Sequence, residues 1–177
     1  MKHVRNDNLT ADFGANIEAV PPPVSSALTE CRFDEVTRLL GHPYRIAGKV
    51  VEGKKLGRTV GMPTANIDYP ENVILPPDGC YVTVTYFLGE RNELPIPMVG
   101  ITNVGRRPSV DNFDYTTVEN HILDFSGDLY GKMLLVEFLR FMRPVQKFDS
   151  LAAVKAQTDK DVESLRGYID SLEVRGL

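Results

Sequence analysis

The sequence predicts an all-β domain, an antiparallel sheet or barrel, with a short helix before it and a longer helix after it. Apolar side chains recur at every second position in two separate runs, which is the period of a strand with one buried face. These runs are Cys80, Val82, Val84, Tyr86 and Leu88, and then Leu134, Val136 and Phe138. Breaks rich in proline, glycine and asparagine separate the runs, and such breaks favour hairpins over a βαβ arrangement.

Helical spacing is confined to the two ends of this domain. After Asp149 and Ser150, either of which can act as N-cap, apolar residues recur at intervals of three and four, which predicts one long helix. Residues 25–41 carry a shorter apolar stripe and end in glycine, which predicts one short helix leaning on the domain. Residues 1–24 are polar and end in three prolines, so we expect a flexible arm and a stiff spacer. The domain itself is placed at 42–177.

Composition limits the classes of function. The chain has 177 residues and a formal net charge of −4, which argues against a nucleic-acid binder that neutralises phosphates over a broad surface. Cys31 and Cys80 are the only cysteines and lack partners at metal-ligand spacing, so neither a disulfide framework nor a zinc site is indicated. The polar start and the lack of a long apolar stretch predict a cytoplasmic protein without a membrane partner. A monomer is favoured.

A glycine-rich run points to a nucleotide. Glycine lets backbone N–H groups approach phosphate oxygens, and the cationic side chains between the glycines supply charge. Gly48 to Lys55 reads G-x-x-x-x-G-K, but Lys55 stands where a P-loop needs Ser or Thr, and no helix-forming run follows. A hairpin loop with exposed basic residues stays open as the alternative. The candidate nucleotide-binding residues are Gly48, Gly53, Lys54, Lys55, Gly57, Arg58, Thr64 and Asn66.

Thr64 and Asn66 are also candidate metal ligands. They lie two positions apart in an extended stretch, so their side chains project from the same face. Hydroxyl and amide oxygens suit a hard cation such as Mg²⁺, and Pro63 stiffens their presentation. The pattern predicts a nucleotide triphosphate held together with Mg²⁺, and the choice among ATP, CTP and GTP stays open.

Glu119 is the candidate catalytic base. It shares a strand face with His121, Leu123 and Phe125, so a carboxylate stands at the end of an apolar row. An ionised carboxylate on such a face is costly unless it has a partner or a task. The alternative is that Glu119 merely meets a lysine at a sheet edge. His121 is expected to be a structural neighbour without a role.

Several boxes in one order resemble the riboflavin kinase family, in particular the kinase module of bacterial bifunctional flavokinase/FAD synthetases. Beside the glycine-rich run these boxes are Pro63–Asn66, Asn103–Ser109, Val118–Phe125 and Asp128–Gly131. The likeness runs from about Leu39 to about Tyr168. It implies a six-stranded Greek-key barrel with a C-terminal helix, and an enzyme that uses ATP and Mg²⁺ to convert riboflavin into FMN with release of ADP.

The resemblance also implies roles for individual residues. Glu119 matches the family's catalytic base, which would deprotonate the terminal ribityl hydroxyl of riboflavin. The implied flavin-binding residues are Asn103, Arg106, Arg143 and Phe148.

Other functions of the chain stay open as alternatives. Residues 25–41 resemble the tail of an adenylyltransferase module, but Ala27 and Leu28 replace its usual threonine and arginine, and the nucleotidyl-transfer domain has no room. We therefore expect no FAD synthesis. A catalytically silent flavin- or nucleotide-binding sensor derived from the kinase module is one alternative, and a phosphate-binding barrel acting on another hydroxyl substrate is the second. A binding module would need no base, so Glu119 favours the kinase.

Overall fold

The computed structural model describes residues 20–53, 61, 63–88, 96–107 and 115–174. Their strands are β1 (Tyr44–Val51), β2 (Ala65–Asp68), β3 (Gly79–Leu88), β4 (Met98–Arg107), β5 (Tyr115–Ile122) and β6 (Met133–Arg143). The helices are α1 (Pro22–Thr29), α2 (Phe33–Leu40) and α3 (Leu151–Val174). The six strands form a closed barrel in the order β1-β2-β5-β4-β3-β6, and each neighbouring pair is antiparallel. The predicted six-stranded antiparallel barrel is confirmed.

The strand order makes the barrel a Greek key. Strands β3, β4 and β5 are consecutive neighbours, and β2 returns to lie beside β5 rather than beside β3. Three consecutive antiparallel strands, with the strand before them lying beside the last of the three, form the Greek-key arrangement. Strand β1 then joins β2 to β6 and closes the barrel, so no described strand has a free edge.

Alternation along each strand divides the side chains between the inside of the barrel and its outer face. The inward residues come from all six strands and form one buried cluster that includes Ile46, Ile67, Val104, Val118 and Val136. A second buried cluster lies on the outer face, where Cys80, Val82 and Ile101 pack against Leu165 of α3. The outer face is therefore partly covered by one helix.

Two short helices pack into the core of the barrel, where the sequence predicts one helix over 25–41. The chain turns between them at Cys31, which has a φ of 56°. Leu28 of α1 and Phe33 of α2 both enter the core, and the Phe33 ring lies 5.5 Å from that of Tyr81, centroid to centroid. Residues 22 and 23 begin α1 instead of forming the predicted extended spacer, because proline is tolerated in the first turn of a helix.

The ends of the helices follow the predicted signals. Gly41 ends α2 in a left-handed conformation with φ of 77°. The Ser150 hydroxyl accepts a hydrogen bond from the backbone N–H of Ala153 at 3.2 Å, so Ser150 caps α3 as predicted. No helix among the described residues combines the length and the apolar character needed to span a membrane.

Candidate active site

A row of polar side chains crosses five neighbouring strands on the outer face of the barrel. Asn66 of β2 pairs directly with Glu119 of β5, and Glu119 pairs on its other side with Asn103 of β4. Asn103 pairs with Cys80 of β3, which pairs with Arg143 of β6. Residues directly opposite each other in antiparallel strands have Cβ atoms about 4.5–5.5 Å apart. We call these five residues the polar row. It brings together four of the candidate site residues from the sequence, Asn66, Glu119, Asn103 and Arg143.

Glu119 occupies an interior position of this row. Its side chain is half-buried, with β2 on one side and β4 on the other. The alternative in which Glu119 lies at a sheet edge does not apply, because the barrel is closed at β5. A partly desolvated carboxylate between two amide side chains is a suitable acceptor for a hydroxyl proton.

Gly53 lies against the side chain of Asn66. A Cβ added at residue 53 would overlap the Asn66 side-chain amide, so glycine is needed here for close approach rather than for a positive φ. The end of the β1 segment therefore limits where the Asn66 amide can point. Thr64 precedes β2, is half-buried, and stands two positions before Asn66 on the same side of the chain.

Gly48 lies within a strand and not in the predicted nucleotide-binding loop. It lies inside β1 and pairs with Leu134 of β6, so its backbone belongs to the barrel and not to a phosphate-binding loop. A Cβ at this position would overlap the backbone carbonyl of Asp68, which explains glycine here by strand packing. Four other predicted nucleotide-binding residues, Lys54, Lys55, Gly57 and Arg58, lie outside the described residues.

Asn103 is oriented by its neighbour Cys80. The Cys80 thiol donates to the Asn103 side-chain carbonyl at 3.5 Å, and burial raises the pKa of this thiol, so it keeps its proton. The segment that joins β6 to α3 passes close by. A Cβ at Gly105 would lie 3.5 Å from Asn103 Nδ2 and 3.7 Å from Val145 Cγ2. Phe148 is half-buried in the same segment.

The two predicted flavin-binding arginines have protein partners. Arg106 lies on the side of β4 opposite to Asn103, and its Nε is 3.9 Å from Asp78 Oδ2. The structure does not bring Arg106 into the polar row. Arg143 is in the row, but its Nε donates to both oxygens of Asp161 on α3, at 2.9 and 3.1 Å, and its Nη2 donates to Oδ2 at 2.6 Å. These hydrogen bonds raise the pKa of the Arg143 guanidinium.

A cavity of about 580 Å³ lies between the end of β5, the strand that carries Glu119, and α3. Its walls include Gly61, Pro63, His121, Phe125 and Val162. The His121 ring is 8% exposed, and its Nδ1 lies 2.8 Å from the carbonyl oxygen of Pro63. The sequence reasoning gave His121 no role. The signal was nevertheless present for His121, because it lies on the same face of β5 as Glu119, whereas Phe125 lies beyond the end of that strand at Ile122.

Comparisons with known proteins match most of this chain to one family. The family model described as Flavokinase, riboflavin kinase, matches residues 40–169. A bifunctional riboflavin kinase/FMN adenylyltransferase of Pseudomonas fluorescens is 39% identical over 166 residues, covering 91% of this chain and 51% of that protein. The chain spans about half the length of the curated relatives it matches.

Two solved structures share the fold. A Streptococcus pneumoniae protein described as a macrolide-efflux protein has a TM-score of 0.71 and 31% identity, over 81% of this chain and 45% of that one. The riboflavin kinase from Trypanosoma brucei has a TM-score of 0.56 and 24% identity, over 75% of this chain and 81% of that one. The family match contains Asn66, Glu119 and Asn103, together with every strand of the barrel that carries them. The resemblance found in the sequence is thereby confirmed, and the chain belongs to the riboflavin kinase family.

Proposed function

We propose that the chain transfers the γ-phosphoryl group of ATP to the terminal ribityl hydroxyl of riboflavin, giving FMN and ADP. The observation that carries the proposal is the direct strand pairing of Asn66, Glu119 and Asn103. A phosphoryl donor and its acceptor must meet in line at one point. The base stands between a residue assigned to the nucleotide side and one assigned to the flavin side, which supports Glu119 as the point where donor and acceptor meet.

The division of labour among the residues follows from phosphoryl transfer. The transition state is loose, and catalysis therefore depends on positioning and on charge stabilisation more than on covalent steps by the protein. Glu119 would orient the ribityl hydroxyl and accept its proton. Asn66 and Thr64, with the backbone near Gly53, would hold the triphosphate. Asn103 and the segment from Val145 to Phe148 would hold the flavin.

The two substrates would approach Glu119 from different ends. Gly61, which follows the glycine-rich run in the sequence, and Pro63, which precedes Thr64, both line the cavity beside β5. We therefore place the nucleotide toward the cavity. The flavin lies toward Asn103 and Val145, both of which approach Gly105 and neither of which lines that cavity.

The residues present fit Mg²⁺ as a cation shared with the nucleotide. No cluster of three or more His, Cys, Asp or Glu side chains that could hold a metal occurs among the residues the structure describes. A cage built by the protein is therefore not available there, whereas Thr64 and Asn66 offer neutral oxygens on one face. This donor set suits an ion that keeps phosphate and water ligands. Bound to ATP, Mg²⁺ would neutralise charge on the transferring phosphoryl group.

The direct test is incubation of the full chain with riboflavin, ATP and Mg²⁺, followed by chromatography. We expect FMN and ADP to appear in equal amounts, and FMN formation to stop when Mg²⁺ is chelated. Binding of riboflavin and ATP without any FMN would support the silent sensor instead. Phosphorylation of a different alcohol in preference to riboflavin would support the broader phosphate-transferring barrel.

Removing either proposed metal ligand should raise the need for Mg²⁺. Thr64→Val and Asn66→Leu each delete one oxygen while keeping the approximate size of the side chain. We expect the Mg²⁺ concentration for half-maximal rate to rise roughly three- to tenfold in each variant, since few substitutes complete an octahedral shell. If both variants follow the Mg²⁺ curve of the parent, the ligand assignment is wrong.

Gly53→Ala should act through Asn66. The added methyl group overlaps the flexible end of a side chain, so Asn66 can move aside at little cost in stability. We expect a Tm within about 2 °C of the parent and a Mg²⁺ requirement raised as in Asn66→Leu. Gly48→Ala is the matched control, because its methyl group meets the rigid backbone of Asp68. That variant should lose stability, and a Gly53→Ala protein with parental Mg²⁺ dependence would contradict the proposed contact.

A further inference from the structure

The side chain of His121 ties the segment ahead of β2 to β5. Its Nδ1 lies 2.8 Å from the carbonyl oxygen of Pro63, a residue far away in the sequence. A backbone carbonyl can only accept, so Nδ1 carries the proton and donates. The ring is 8% exposed and so has little freedom to turn away from Pro63.

This hydrogen bond acts where the strand ladder stops. The pairing of β2 with β5 runs from Ala65 to Ile67, and Pro63 lies ahead of it. Proline has no N–H and cannot extend the ladder as a donor. Within the described residues around this junction, the His121 imidazole therefore connects the peptide between Pro63 and Thr64 to β5.

The hydrogen bond from His121 to Pro63 links the proposed metal-binding segment to the strand that carries the proposed base. Thr64, a proposed Mg²⁺ ligand, follows Pro63 directly, and its N–H belongs to the same peptide group as the carbonyl that accepts from His121. Glu119, the proposed base, stands two residues before His121 on the same strand face. One side chain thus relates the position of the metal-binding segment to that of the base.

We propose that His121 is a positioning residue, which holds the Pro63–Thr64 peptide against β5 through Nδ1 so that Thr64 and Glu119 keep a fixed separation. The proposal rests on the proposed kinase function for its consequence, but the contact itself is a property of the free protein. A histidine that merely fills space would give the same burial without any need for a donor at Nδ1.

Two amide substitutions separate these roles. In His121→Asn the side-chain nitrogen falls near the position of Nδ1, so the hydrogen bond to Pro63 is kept. In His121→Gln the nitrogen falls near the position of Nε2, so that hydrogen bond is lost although a polar side chain remains. Thr117→Val serves as the control, because it removes a side-chain hydrogen bond to a carbonyl, that of Gly105 at 3.2 Å, from the same strand.

The first measurement is amide hydrogen exchange of Thr64 and Ala65, followed by NMR in the protein without substrates. We expect exchange about fivefold or more faster in His121→Gln, because one hydrogen bond that closes this segment is gone. His121→Asn and Thr117→Val should stay within about twofold of the parent. Equal exchange in the Gln and Asn variants would overturn the proposal, and so would failure of both to fold.

The second measurement is the Mg²⁺ concentration for half-maximal FMN formation. We expect about a fivefold rise in His121→Gln and little change in His121→Asn, with kcat at saturating Mg²⁺ reduced less than the Mg²⁺ affinity. An unchanged Mg²⁺ requirement in His121→Gln would overturn the link to the site. If the parent makes no FMN, the proposed function fails, while the exchange experiment still decides whether His121 positions the segment.

Discussion

Replacing Glu119 by glutamine is expected to lower kcat by roughly 10²-fold or more while riboflavin affinity changes little. Glutamine keeps the size of the side chain and a carbonyl that can accept a hydrogen bond, but it cannot take up the hydroxyl proton. Asn66 and Asn103 oppose Glu119 directly, and both can still pack against the amide. FMN formation at saturating substrates would give kcat, and quenching of riboflavin fluorescence would give the affinity.

Glu137→Gln is the matched control for this variant. Glu137 is another half-buried strand glutamate, and its Oε2 accepts a hydrogen bond from the Tyr86 hydroxyl at 3.3 Å. Glu137 lies outside the polar row, so the kcat of Glu137→Gln should stay within about twofold of the parent value. Near-normal turnover by Glu119→Gln would remove Glu119 from the mechanism, whatever the control shows.

The β-strands could be predicted from the sequence because a period of two belongs to each strand by itself, whereas the closed six-stranded barrel was implied by the family resemblance. The break between α1 and α2 could not be predicted from the sequence. Residues 30–32 contain neither glycine nor proline, and Cys31 nevertheless takes a left-handed conformation. The turn allows Leu28 and Phe33 to enter the core together, and tertiary packing of this kind overrides local propensity.

The neighbourhood of the site residues was harder to predict than the residues themselves. Asn66 and Glu119 could each be proposed from local pattern, but only the register between distant strands makes them direct neighbours. Arg143 shows the opposite case. Its position at the end of the last strand suggests an available cation, whereas the structure pairs it with Asp161, on a helix that the local pattern does not relate to it.

The second large effect is expected for the pair of Arg143 and Asp161. Asp161→Ala leaves a mostly buried guanidinium without its carboxylate, and breaking such a pair costs about 3 kcal/mol. This cost is at the lower end of the usual range for breaking a buried ion pair, because the Arg143 side chain is still 20% exposed, against 6% for Asp161. For a chain of this size the Tm should fall by roughly 6–12 °C, measured by scanning calorimetry.

An exposed ion pair on the same helix supplies the control and shows why burial decides the size of the effect. The side chains of Lys155 and Asp159 are 58% and 62% exposed, so Asp159→Ala should change stability by about 0.5 kcal/mol at most. A Tm for Asp161→Ala within about 2 °C of the parent would mean that desolvation cancels the attraction in the pair.

Comparison with Arg143→Met then separates anchoring of α3 from flavin binding. If Arg143 only anchors the helix, the two variants lose stability and riboflavin affinity alike, whereas a direct flavin contact makes Arg143→Met bind riboflavin more weakly than Asp161→Ala.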